Sequence, residues 1–222
     1  EQKDKTREVT RALTKLGGTS IVVSWPKIHV HVADDETARS VLAACEPLGI
    51  VQLRMEDLSE EGGSRINVVG LASGMGVLMQ AALTQAVAVN ANVPGWADHV
   101  DELIEDGAHT IVSGVPSVTH ELLTAAPVDT VLTAPGPVSL LAAMAVFDPE
   151  VEAQDCRDDM REAIEGTREG VITRPRPDGP FLSTDGETRA ASESLSETVL
   201  SLVESLNHEG SAEIITIVTG RD

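Results

Sequence analysis

Aromatic side chains are nearly missing from this 222-residue chain: they make up 2% of it, as two Trp and two Phe, with no Tyr. Aliphatic side chains must therefore fill the interior, and stacking of nucleobases on aromatic faces has almost no residues to work with. Basic side chains are scarce too. Sixteen Lys and Arg stand against 36 Asp and Glu, for a formal net charge of −20. That balance repels phosphate backbones and anionic membrane surfaces, so nucleic acid is excluded as an expected partner. Cysteine is limited to Cys45 and Cys156, far apart and both in helix-like segments. The expectation is a pair of reduced, structural thiols and a cytoplasmic setting. No run is long and apolar enough to suggest membrane insertion. The opening stretch EQKDKTREV is charged where a signal peptide needs an apolar core. It starts without Met and enters a helix-like pattern at once, which leads us to expect a processed chain or an excised piece.

What is present divides into two blocks. Apolar residues make up 41% of the chain, enough for a core. In residues 1–58, Val9, Leu13 and Leu16 recur at helical spacing until Gly17-Gly18 ends the pattern. TSIVVSW (19–25) and KIHVHV (27–32), broken by Pro26, read as a hairpin. Asp34 or Asp35 can cap a helix carried by Ala38, Val41, Leu42 and Cys45. IVQLRMEDL (50–58) then reads as a third strand. The order α-β-β-α-β is a ferredoxin-like unit lacking its first strand. SEEGGSR (59–65) is charged and Gly-containing and reads as a linker.

Residues 66–222 alternate short apolar strands with amphipathic helices: INVVG, MGVLMQAAL, QAVAVN, WADHVDELIED, HTIVSG, SVTHELLTAA, DTVLTA and PVSLLAAMAVF. This rhythm predicts a parallel sheet with helices on both faces, an α/β domain. An acidic helix follows over about 150–166, then a strand VITRP, a Pro/Gly-rich turn over 174–186, a helix over about 193–206 and a last strand EIITIVTG.

Two features carry candidate chemistry. Side chains alternate along a strand, so Ile28, Val30 and Val32 share one face of KIHVHV while Lys27, His29 and His31 share the other. Histidines at i and i+2 can hold one zinc ion together, but zinc needs a third and a fourth ligand. Cys45 belongs to the helix side, and Asp34 and Asp35 follow the strand too closely. His29 and His31 are thus either half of a metal site or a polar face or dimer seam.

The other feature is the set of loops at the carboxyl ends of the parallel strands, where open α/β sheets bind ligands and partners: GLASGMG (70–76), NANVPGW (90–96), SGVPSVTH (113–120) and TAPGP (133–137). Their candidate partner-binding residues are Ser73, Gly74, Asn90, Asn92, Trp96, Ser117 and His120. GLASGMG is neither G-x-G-x-x-G nor a Lys-bearing phosphate loop, and close packing explains its glycines. Ser73, Ser113 and Ser117 are not in G-x-S-x-G. His99, His109 and His120 form no evident triad with them. Trp96 is either a local core plug or an exposed anchor.

Taken together, K-I-H-V-H-V, the strand LRMEDL, and the long segment PGPVSLLAAMAVFDPEVEAQDCRDDMREAIEGTREGVIT are similar to a known pattern. They resemble the middle and C-terminal parts of the large subunit of bacterial fatty acid kinase, the dihydroxyacetone-kinase-like or Dak-phosphatase family. That family carries a V-K-V-H-V-H-T strand, an I-x-N-M segment and later G-L-A-A-(L/M)-x-x-F-D-P. The last signature matches Leu140 to Pro149, and the acidic helix and Gly170 to Thr173 also correspond. Departures are VNANVPGW in place of a G-G-Q-T-M-N-P-S-T-like loop, SGVPSVTH in place of a P-N-N-like loop, and the short insert RPRPDGPFLSTDGE.

The resemblance implies a dimerising, metal-bearing middle module, with zinc at His29 and His31 completed by a cysteine from a strand upstream of Glu1. It implies a C-terminal domain like half of a DegV-type protein, which docks a DegV-type fatty-acid-binding protein so that its acyl carboxylate can be phosphorylated. ATP and Mg²⁺ belong to an all-helical N-terminal domain outside this sequence. The present chain has no phosphate loop or kinase lysine and is expected to be non-catalytic by itself, within a parent that is an ATP-dependent kinase. Two other readings stand beside it: an α/β domain that holds a small carboxylate or lipid, and a zinc hydrolase built on His29 and His31, which lacks an evident general base.

Overall fold

The run VVGLA (68–72) shows how the centre of the molecule is built. In the computed structural model, which describes residues 2–55, 68–125, 130–187, 189–207, 210 and 212–219, all five of these residues are buried. Val68 and Ala72 pack with Leu78, Ala81, Val112, Leu132, Leu140, Met144, Cys156 and Met160 on one face of the strand. Val69 and Leu71 pack with Val87, Val89, Trp96, Val100, Leu103 and Ile111 on the other. A strand apolar on both faces needs a layer on each side, and helices supply both. Each fully buried Val or Leu contributes about 1.5–3 kcal/mol relative to exposure, so these two clusters dominate the stability of the fold.

The elements in chain order are α1 (Gln2–Lys15), β1 (Thr19–Ser24), β2 (Lys27–His31), α2 (Asp35–Cys45), β3 (Gln52–Leu53), β4 (Val68–Ala72), α3 (Met75–Ala82), β5 (Val87–Asn90), α4 (Trp96–Glu105), β6 (Thr110–Ser113), α5 (Pro116–Ala125), β7 (Val131–Thr133), α6 (Pro137–Ala145), α7 (Ala153–Glu165), β8 (Val171–Thr173), β9 (Phe181–Thr184), β10 (Arg189–Ser192) and α8 (Leu195–Leu206). The fold is mixed α/β. Its main sheet has the order β3-β5-β4-β6-β7, in which β5, β4, β6 and β7 are parallel and β3 is antiparallel at the edge. Helices α3, α6 and α7 line one face, and α4 and α5 the other. Strands β10, β9 and β8 form a separate antiparallel sheet.

The amino-terminal block is a hairpin under two helices. β1 and β2 pair antiparallel, with Val23 opposite Ile28 and Val22 opposite His29. A two-stranded hairpin is marginal in water by itself. Here Val9 and Leu13 of α1 and Val41 and Cys45 of α2 cover its Ile21, Ile28, Val30 and Val32. α1 ends where the pattern places the end: Gly17 has φ +95°, and Gly18 N–H donates to the Leu13 carbonyl at 2.9 Å. This is the left-handed closure that glycine adopts without a Cβ penalty. Asp34 caps α2 by accepting from Thr37 N–H at 2.7 Å.

Three expectations need correction. The strand read from IVQLRMEDL does not join the hairpin. The strand it contains, β3, pairs with β5, and the Asn90 amide N–H donates to the Val51 carbonyl at 2.7 Å. Leu53 and Met55 there pack with Leu42 of α2 and Met79 of α3, so one apolar cluster joins the two blocks. The Pro/Gly-rich stretch 174–186 is not one turn: it contains β9, and β10 follows it. EIITIVTG forms no strand over its described residues, and Ile214 and Ile217 are 83% and 66% exposed. A strand needs a neighbouring backbone for its hydrogen bonds, and none of the described strands pairs with this one. The proposed linker, 59–65, lies outside the described residues.

Candidate functional site

On β2 the alternation works as the sequence requires. Ile28 and Val30 face α1 and α2, while His29 is exposed and His31 half-exposed on the uncovered side. The two Nε2 atoms stand 2.9 Å apart, with ring planes at 73°. Opposite them on β1, Val22 is 58% exposed, and Thr19 Oγ1 donates to the His31 carbonyl at 3.3 Å. Two zinc–nitrogen bonds of about 2.0–2.1 Å that span such a gap subtend roughly 90°, so the rings must part by about 0.4 Å to reach the tetrahedral angle of about 109°. The donor set fits half of a zinc site. Among the described residues, no group of three or more His, Cys, Asp or Glu is placed to hold a metal. Cys45 is buried in the cluster on the helix side of the hairpin, where its thiol is pushed up by burial. The described residues of one chain supply no further ligand beside the pair.

The main sheet offers a second candidate. β4 is followed by β5 on one side and by β6 on the other. The order therefore reverses between β4 and β6, and a crevice opens at their carboxyl ends. Ser73 and Gly74 after β4, and Ser117 at the start of α5 after β6, are exposed there. Gly74 has φ +90° and leads into α3. The loops are tied together across the crevice, since Gly114 N–H donates to the Leu71 carbonyl at 2.9 Å.

The other candidate residues do different work. Asn90 is half-buried and structural: its Nδ2 donates to the Ile50 carbonyl at 3.2 Å, and its Oδ1 accepts from Asn92 N–H at 3.1 Å. Asn92 is exposed. Trp96 is 9% exposed and packs in the α4 cluster, so it is the core plug of the two roles open to it. His120 lies on α5, and its side chain is outside the described residues. Ser113 is fully buried with its Oγ 3.0 Å from Thr119 Oγ1, which makes it a structural hydroxyl. His109 stands apart from these serines. Its Nδ1 is 3.0 Å from Thr110 Oγ1, and burial, followed by the charge of Arg157, holds its pKa below the ordinary value.

One residue escaped sequence reasoning. Glu169 reaches the amino terminus of α6, the end of the TAPGP loop. Its carboxylate accepts from Val138 N–H at 3.1 Å, Ser139 N–H at 3.3 Å and Ser139 Oγ–H at 2.8 Å. Helix amino termini attract anions because their first N–H groups lack intrahelical acceptors. Here the chain's own carboxylate fills that place, which removes TAPGP from the open ligand loops. Glu169 is about thirty residues distant in sequence, and no local motif marks it. Comparison with protein-family models and with curated proteins finds no match to this chain.

Proposed function

We propose that this chain is the non-catalytic dimerisation and partner-docking part of a fatty-acid-kinase-like protein, presenting a DegV-type acyl-binding partner to an ATP-binding domain outside this sequence. The observation that carries the reading is the paired Nε2 geometry of His29 and His31 on the uncovered face of the hairpin. A face with two convergent metal donors and an exposed Val22 suits a seam that a second subunit completes. The crevice between β4 and β6, with Ser73, Gly74 and Ser117, is then the docking side. The role is presentation and not catalysis, in keeping with the lack of a phosphate loop or kinase lysine.

The test is a calorimetric titration of the folded chain with a fatty-acid-loaded DegV-type protein from the same organism. Saturable binding, weakened by Ser73→Arg or Ser117→Arg, is the expected result. A folded sample that gives no heat, or arginine variants that bind as well as the parent, removes the docking role.

A further inference from the structure

All four lysines of the chain, Lys3, Lys5, Lys15 and Lys27, lie in its first 27 residues. Residues 1–31 hold six of the sixteen cationic side chains and only three of the 36 acidic ones. That stretch therefore carries a formal charge of +3 (6 − 3) within a chain of net charge −20. A groove of about 500 Å³ between α1 and the β1 end of the hairpin is lined by Lys3, Thr6, Arg7, Val23, Ser24 and Trp25. We propose that this groove binds a phosphate group, as the free ion or as the monoester of a small molecule.

The chemistry of the lining carries the assignment. Lys3 and Arg7 stand one helical turn apart on the same face of α1. The guanidinium fork of Arg7 matches two oxygens of an oxyanion, and the Lys3 ammonium supplies a movable point charge. Two cations balance a phosphate dianion, whereas a carboxylate would leave one uncompensated. Ser24 of β1 also lines the groove. The acidic residues of α1, Asp4 and Glu8, are each one residue further on, about 100° round the helix from Lys3 and Arg7, and neither lines the groove.

The aromatic wall is held in place. Trp25 Nε1–H donates to Thr6 Oγ1 at 2.8 Å, and Lys5 Nζ sits 4.8 Å from the centre of its ring. Val23 and Trp25 give one side of the groove an apolar surface that the organic part of a monoester can cover. The rest of the chain, strongly acidic, does not draw anions from a distance. Its field is screened beyond about 10 Å at 0.1 M salt, so recognition rests on these contacts.

The two tryptophans make the test direct. Trp96→Phe leaves Trp25 as the single emitter, and circular dichroism checks that the fold is kept. This protein is titrated with inorganic phosphate and, separately, with butyl phosphate, against sodium chloride of equal ionic strength. A saturable change in Trp25 emission is expected, with Kd raised about tenfold or more by Arg7→Ala or by Lys3→Ala. Tighter binding of butyl phosphate assigns the groove to monoesters; equal binding assigns it to the free ion. Calorimetry of the unsubstituted chain and of Arg7→Ala with the same two probes answers the question if Trp96→Phe does not fold. No saturation above the chloride control, or equal Kd values in the parent and both alanine variants, overturns the proposal.

Discussion

His29 Nε2 and His31 Nε2 face each other at 2.9 Å on the side of the hairpin opposite α1 and α2, which no described helix covers. Free imidazoles at that distance share one hydrogen bond, and a metal ion replaces that bond with two stronger ones. Cobalt(II) titration followed by visible absorption should therefore show binding that is lost in His29→Ala and in His31→Ala alike. Cys45→Ser should leave it intact, because Cys45 lies in the cluster beneath the opposite face. A spectrum that survives either histidine substitution rejects the pair as a chelate.

Glu169 and Gly136 form a coupled cap. Glu169→Ala leaves the second and third N–H groups of α6 without an acceptor, at a cost of about 1–2 kcal/mol. A Cβ at Gly136 would stand 2.5 Å from Glu169 Oε1, so Gly136→Ala must push the carboxylate off the helix end and lose much of the same energy. In a Glu169→Ala background that second loss should largely vanish. Urea midpoints of the four proteins measure the coupling, and strictly additive losses contradict it.

Two glycines of the main sheet region should differ sharply. A Cβ on Gly114 would lie 2.8 Å from Leu140 Cβ and 3.1 Å from the Gly136 carbonyl, an encounter with atoms that cannot swing away. Gly114→Ala should cost about 1–3 kcal/mol. On Gly70 the same atom meets Met144 Sδ at 3.4 Å and Ala81 Cβ at 3.5 Å, ordinary contacts. Gly70→Ala should cost less than Gly114→Ala, and the reverse order in thermal unfolding would show the packing here to be misread.

His109 makes stability depend on pH. Its pKa in the folded chain is held below the ordinary 6.5, first by burial and then by Arg157. The unfolded chain therefore takes up the proton at a pH where the folded chain does not. The stability tied to neutral His109 is intact above 6.5 and declines as pH falls from there towards the folded value. Chemical denaturation at about pH 7.5 and about pH 5.5 should show a larger loss for the parent than for His109→Gln, which has no proton to gain. Equal losses in the two proteins dismiss the effect.

Much of the architecture is legible in the chain because its signals are local. The alternation of VVGLA, VAVN and TIVS with amphipathic helical stretches follows from side-chain period alone, and the parallel strands β4 to β7, covered by helices on both faces, are its direct consequence. The same alternation puts His29 and His31 on one side of β2, and Gly17-Gly18 ends α1 by backbone chemistry confined to a few residues.

What depends on distant partners was decided only by the tertiary structure. QL at 52–53 has strand character in either setting, and the β5 edge, the Asn90 bonds and the apolar cluster around Met79 fix which sheet receives it. EIITIVTG has equal strand character, but no described strand pairs with it, and its described residues 213–219 form no strand. Trp96 could be plug or anchor until the α4 face turned it inward. Glu169 became a helix cap, and Lys3 and Ser24 came to line one groove, because packing brought together residues many positions apart. Periodicity and turn chemistry act between near neighbours, whereas edge pairing, burial and side-chain convergence are properties of the assembled chain.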